Sequence, residues 1–343
     1  MLKEETMLSR LIRFRYPRLA ALAVAVFLVC VATAWPATTE TFVPTIVQYP
    51  GSTSTVARGI NNRGDIVGTY VCAVACINPV TGETSTAGTH GFLLHDDAFT
   101  RIDVPGGTAT VARGISTQGV IVGHYNVGSI THGFAYFDGS YVYPIDVPGE
   151  FFDHPDSPLR DTLVVRISPQ GDLVGCFHED SQAMTTMHGW LLHRGTFTVL
   201  STPHYTGDTS SRDPDTMNNG IAPNGRIVGF YLSSGVSYIA DDEGIVTKFT
   251  FDGNLFTLAW DIDSRGDIVG VHGDNQANTV GIPVNPRGFL RSRDGAYRSL
   301  AVLGAGSTQV FGINAKRDVV GQYSDSTGVH GFVYRPKPDK QDD

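Results

Sequence analysis

Downstream of residue 36 the chain reads as short runs of apolar and β-branched residues broken by clusters of Gly, Asn, Asp and Ser. No segment there holds a helical period, so the pattern predicts strands. Thr55–Ile60 and Asp65–Tyr70 flank Asn61-Asn-Arg-Gly64, a polar turn of the kind that closes a tight hairpin. A third strand follows at His90–Leu94 and a fourth at Phe99–Val104, across the turn His95-Asp-Asp97. The runs are nearly continuous in apolar residues rather than strictly alternating, which suits strands covered on both faces.

This unit returns. The stretch Gly59-Ile-Asn-Asn-Arg-Gly-Asp-Ile-Val-Gly-Thr-Tyr70 recurs from Gly114, Arg166, Gly220, Asp261 and Gly312, at spacings of 55, 52, 54, 41 and 51 residues. Third strands recur at His132-Gly-Phe134, His188-Gly-Trp190, Ser237-Tyr-Ile239, Arg287-Gly-Phe289 and His330-Gly-Phe332. A unit of this length, rich in Gly and β-branched residues, is too long for a leucine-rich repeat and too poor in helix formers for a helical solenoid. One sheet per repeat remains. The sixth copy stops after its third strand, whereas Phe42–Gly51 carries a fourth-strand pattern ahead of the first copy. The expectation is therefore an all-β, six-bladed β-propeller of four-stranded blades, closed by the N-terminal strand. It occupies 35–335, with a targeting segment at 1–34 and a polar tail at 336–343.

The Gly-Ile-Asn-x-x-Gly-x-Ile-Val-Gly-x-Tyr strand pair, the His-Gly-Phe third strand and Ile102-Asp-Val-Pro-Gly106 resemble bacterial extracellular repeat proteins of the HAF family, over about residues 42–335. The resemblance implies a secreted, propeller-shaped protein and assigns no activity. Ser237 and Arg287 stand where the family pattern has the third-strand His, which argues against a mechanism needing one His per repeat.

Lys3, Arg10, Arg13, Arg15 and Arg18 precede the apolar run Leu19–Val31, and Ala32-Thr-Ala34 has the small-x-small pattern of a signal peptidase site. Cleavage there exports the chain, to the periplasm or beyond; an uncleaved anchor is the alternative. Removing 1–34 takes five basic and two acidic side chains, so the net charge of −9 becomes −12. That balance excludes nucleic acid as a partner, and membrane beyond the targeting segment. Cys72 and Cys76 are close enough for a small-loop disulfide, and Cys176 reads as a buried apolar thiol.

If the turns within each repeat lie on one face, the long connections Val71–Thr89, Pro148–Asp161, Pro203–Asn218 and His272–Pro286 share the other, where binding residues are usually found. The candidate contacts are Phe151, Phe152, Asp153, His154, Asp156, His204, Tyr205, Asp208 and Trp260. Asp213, Asp215 and Asn218 offer closely spaced oxygens for calcium, without the Gly and terminal Glu of a full calcium loop. The third-strand His90, His132, His188 and His330 read as bonds to turns within their own repeats, and the recurrent Gly68, Gly123, Gly175, Gly229, Gly270 and Gly321 as close packing between repeats. The main expectation is a non-enzymatic exported module that binds a protein or glycan on the long-loop face. The alternative is a hydrolase or lyase acting on a sugar or lactone, using acidic and His residues, with calcium at the channel mouth.

Overall fold

In the computed structural model the described residues are 38–152, 160–178, 187–199, 215–241, 245–251, 256–277 and 283–336. The predicted strands form: the first repeat has Ser54–Ile60, Ile66–Cys72, Gly88–His95 and Ala98–Ile102, joined antiparallel in that order. Repeats two to four, beginning at Thr110–Ile115, Asp161–Ile167 and Thr216–Ile221, each make a separate four-stranded sheet. The only helical element described in full is the 3-10 turn Gly149–Phe151. None of their helices is long and apolar enough to cross a membrane. The targeting segment and residues 337–343 of the tail lie outside the described residues.

The six equal four-stranded blades are not what the chain builds. The fifth repeat's sheet has five strands, because Thr38–Phe42 adds in parallel to Tyr297–Val302. The first and sixth repeats belong to one eight-stranded sheet, linked by the parallel pair Val329↔Ser54, and among the described residues no sheet closes on itself. Pro44 is one cause. Lacking an N–H, it divides the expected N-terminal strand; Thr38–Phe42 goes to the fifth repeat, while Thr45–Val47 pairs antiparallel with Gly328–Tyr334 of the sixth.

The recurring residues have recurring partners. His90 and His132 each contact a carboxylate, Asp103 and Asp146, at 2.8 Å through Nδ1. His330 reaches Gln48 at 3.3 Å, the equivalent position in the N-terminal segment. Asp103 and Asp146 thus answer a histidine in their own repeat. A threonine at the start of the first strand takes the N–H of the preceding connection: Thr55 from Tyr49, Thr110 from Val104, Thr162 from Val147, Thr257 from Phe251 and Thr308 from Val302. Sequence-adjacent sheets are thereby stitched together, with Phe92, Phe134, Trp190, Tyr238, Phe289 and Phe332 buried among them.

Candidate functional site

Each first strand carries a β-bulge. The ladder to the second strand skips one residue per repeat, and the six skipped residues are Arg58, Arg113, Val165, Asn219, Trp260 and Phe311. A bulge leaves a residue unpaired and re-aims its side chain. What permits it is the second-strand glycine opposite. A Cβ on Gly68 would overlap the Val56 carbonyl and press on the Phe92 ring, and Gly123, Gly175, Gly229, Gly270 and Gly321 repeat this arrangement. The close approach is within each repeat, so the expected role of these glycines between repeats is corrected. Packing between repeats falls instead to the residue after the bulge. A Cβ on Gly59 would come within 2.8 Å of the Arg113 carbonyl, and one on Gly312 within 2.9 Å of that of Arg58.

At this inner position four repeats have glycine and two have a charge, Arg166 and Asp261. Arg166 fills the centre that the glycines leave. Its Nη1 donates to the carbonyls of Arg113 (2.6 Å) and Arg58 (3.3 Å), and its Nη2 to those of Phe311 (2.6 Å) and Trp260 (3.4 Å). Nε lies 3.2 Å from Asp261, an ion pair without hydrogen-bond alignment. The Asp261 carboxylate also accepts the N–H groups of Ile262 and Ile313. Burial pushes its carboxyl up to about 6, against the pull of Arg166 and these two amides. Bonds to four other repeats from two side chains make a bolt across a central channel. On the side of the intra-repeat turns lies a cavity of about 80 Å³, floored by Arg166 and Asp261 and ringed by Ile60, Ile115, Ile221 and Ile313.

The bulge ring lies one residue earlier in each first strand, toward the long connections. Arg58 Nε donates to Thr69 Oγ1 at 3.3 Å and Arg113 Nε to His124 Nδ1 at 3.2 Å. No carboxylate among the described residues lies within ion-pair distance of either guanidinium, and their terminal nitrogens make no hydrogen bond there. Burial, then Arg113 and Arg166, lowers Arg58 to about 9; burial, together with Arg166, lowers Arg113 to about 10. Both stay charged at neutral pH. Burial holds His124 well below the ordinary imidazole value, helped by Arg113, Arg58 and His178. His178 is lowered by burial too, against the pull of Asp161. Its Nε2 lies 3.9 Å from the Cys176 thiol, which burial pushes up to about 12, making an unreactive, apolar sulfur. Trp260 and Phe311 meet edge to face at 5.3 Å, and Trp260 Nε1 is buried without a partner.

The sequence-predicted site residues fall differently. Asp153, His154, Asp156, His204, Tyr205, Asp208 and Asp213 lie outside the described residues. Phe152 is buried against Phe177 in the core and Phe151 packs beside that cluster. Asp215 is buried, and the Asn218 amide is committed, donating to the Trp190 carbonyl and accepting from Tyr238. Trp260 alone of the set stands in the channel ring. Cys72 and Cys76 are joined in a disulfide. Arg58, Arg113, His124 and His178 were missed, although Arg166 and Asp261 were visible as opposite charges in a glycine column.

No protein-family model matches the chain and no curated protein matches its sequence. Solved structures do match. Regucalcin from Agrobacterium tumefaciens, titled a calcium-binding protein, aligns at TM-score 0.51 and 12% identity over 88% of this chain and 97% of its own. A putative gluconolactonase aligns at TM-score 0.46 and 12% identity (87% and 93%), and virginiamycin B lyase from Staphylococcus aureus at 0.44 and 11% (84% and 97%). Likeness at such identity shows the fold, which is β-propeller-like. The expected non-enzymatic binding module on the long-loop face does not survive: its aromatic contact Phe152 is buried in the core, and Arg58, Arg113, Arg166 and Asp261 gather at the channel instead.

Proposed function

We propose that the chain is an enzyme, a hydrolase or lyase acting on a sugar or lactone, and that the reaction takes place at the bulge ring. The observation that carries this reading is the grouping of two guanidiniums with free terminal nitrogens beside two imidazoles kept neutral by burial. Arg58 and Arg113 stabilise negative charge growing on a substrate oxygen, where preorganised donors act most strongly. Because Arg113 donates to Nδ1 of His124, the imidazole proton sits on Nε2, and His124 is a hydrogen-bond donor to the leaving oxygen. His178, neutral and meeting only the Cys176 thiol at 3.9 Å through Nε2 among the described residues, is the acceptor. Paired buried arginines are a poor setting for calcium. The described residues hold no cluster of three His, Cys, Asp or Glu suited to a metal, and Asn218 is already committed, so no step is assigned to calcium. The Cys72–Cys76 disulfide supports an exported location, since disulfides persist in oxidising compartments.

The test is kinetic. With a turned-over lactone or oligosaccharide, His124→Gln lowers kcat by about 100-fold or more with its melting temperature maintained, the usual scale for losing a transition-state hydrogen-bond donor. A variant as active as the parent refutes the assignment.

A further inference from the structure

We infer that the substrate carries a carboxylate beside the bond that is broken, as a uronic acid residue of an oligosaccharide does, and that this carboxylate seats on Arg58 and Arg113. The inference rests on the reading of the channel as an active site. Three arginines, Arg58, Arg113 and Arg166, stand near one another, and the only carboxylate in ion-pair contact with any of them among the described residues is Asp261, on Arg166. Arg58 lies over the Phe311 ring at 5.6 Å, but neither it nor Arg113 meets a carboxylate among the described residues, in a chain that is acidic overall. A neutral sugar would leave both guanidiniums desolvated beside a group that cannot neutralise them, whereas a carboxylate accepts paired N–H bonds and cancels charge. The rest of the ring offers polar groups to a sugar: Trp260 Nε1 and Asn219 Oδ1, both buried and unpartnered, await a hydroxyl.

Seating the carboxylate also selects the reaction. Neutralised by two arginines, it acidifies the C–H next to it. His178 takes that proton, and the C–H electron pair becomes a carbon–carbon double bond. The bond from the neighbouring carbon to the glycosidic oxygen breaks, and that oxygen takes the proton that His178 removed, while His124 Nε2–H donates a hydrogen bond to it. The products are an unsaturated uronate and a sugar with a new free hydroxyl. Atoms balance without water, oxidant or reductant, and both histidines end neutral as they began.

The experiment incubates the full chain with polygalacturonate, alginate and glucuronan, with the same polymers after reduction of their carboxyls, with a sulfated oligosaccharide and with simple lactones. Ultraviolet absorbance reports the unsaturated product, and titration reports lactone opening. The expected result is cleavage of one polyuronate with the ultraviolet signature, and kcat/KM at least about 100-fold lower on its reduced form. Arg58→Met and Arg113→Met lose activity similarly, and Arg58→Lys recovers part of it. Turnover of lactones, of the sulfated sugar or of the reduced polymer without preference for a carboxylate overturns this inference while the enzyme reading stands. No turnover of any substrate counts against both.

Discussion

Arg166 and Asp261 are the chain's departures from a ring of glycines, and the bolt they form sets a stability cost that can be calculated and measured. Arg166→Ala leaves Asp261 buried without its counter-ion, a loss of about 3–5 kcal/mol. It also strips the Arg113 and Phe311 carbonyls of bonds at 2.6 Å, at about 1–3 kcal/mol for each group left unpaired. Water from the 80 Å³ cavity can reach part of the vacated space, so a total near ~5 kcal/mol is expected. Asp261→Ala leaves Arg166 its four carbonyls and removes only the charge partner, for about 3 kcal/mol. The double variant removes both charges, so its loss falls short of the summed single losses by about 2–3 kcal/mol, within the usual coupling of contacting residues. Urea denaturation at neutral pH, analysed by linear extrapolation, measures all three corners of the cycle. Single variants within about 1 kcal/mol of the parent, or an additive double variant, refute the bolt.

Other outcomes follow from the same geometry. Arg58→Met raises stability by about 1–2 kcal/mol, because it removes a desolvated charge repelled by Arg113 and Arg166; a drop in melting temperature contradicts this. His124 is held neutral in the folded chain while the unfolded chain takes up its proton below pH 6.5. The unfolded state then binds more protons, so stability is fully present above that pH and falls on acidification by up to about 1.4 kcal/mol per unit. The slope is smaller in His124→Gln, and equal slopes in both refute it. Gly68→Ala pushes a methyl into the Val56 carbonyl and the Phe92 ring and costs about 3 kcal/mol, read by thermal melting; a neutral outcome means that the bulge does not depend on the glycine.

The repeats, their strands and their turns were legible because each is specified locally, by apolar runs and by Asn and Gly at the hairpins. Less legible was how the sheets join. Nothing local to Phe42–Gly51 says that Pro44 divides it between two repeats, since strand partners are set by distant edges. The site was harder still. Arg58, Arg113 and Trp260 look like ordinary strand residues until the ladder shows that each is the one skipped, and only then does the column through Val165, Asn219 and Phe311 become a ring. The signal lay in variation rather than repetition. Charges that interrupt a constant column, Arg166 and Asp261, mark the axis, and the positions just before them mark the site. Phe152 misled because an aromatic residue in a long connection is as useful to a core as to a ligand.

The central claim is that chemistry takes place at the bulge ring. The most direct measurement is turnover by the full-length chain, across lactones and oligosaccharides, compared with an Arg58→Met/Arg113→Met variant of confirmed fold. The account predicts that one substrate class is consumed by the parent and that the variant loses at least about 100-fold in kcat/KM while melting no lower. Equal turnover by parent and variant, or none by either, would contradict it.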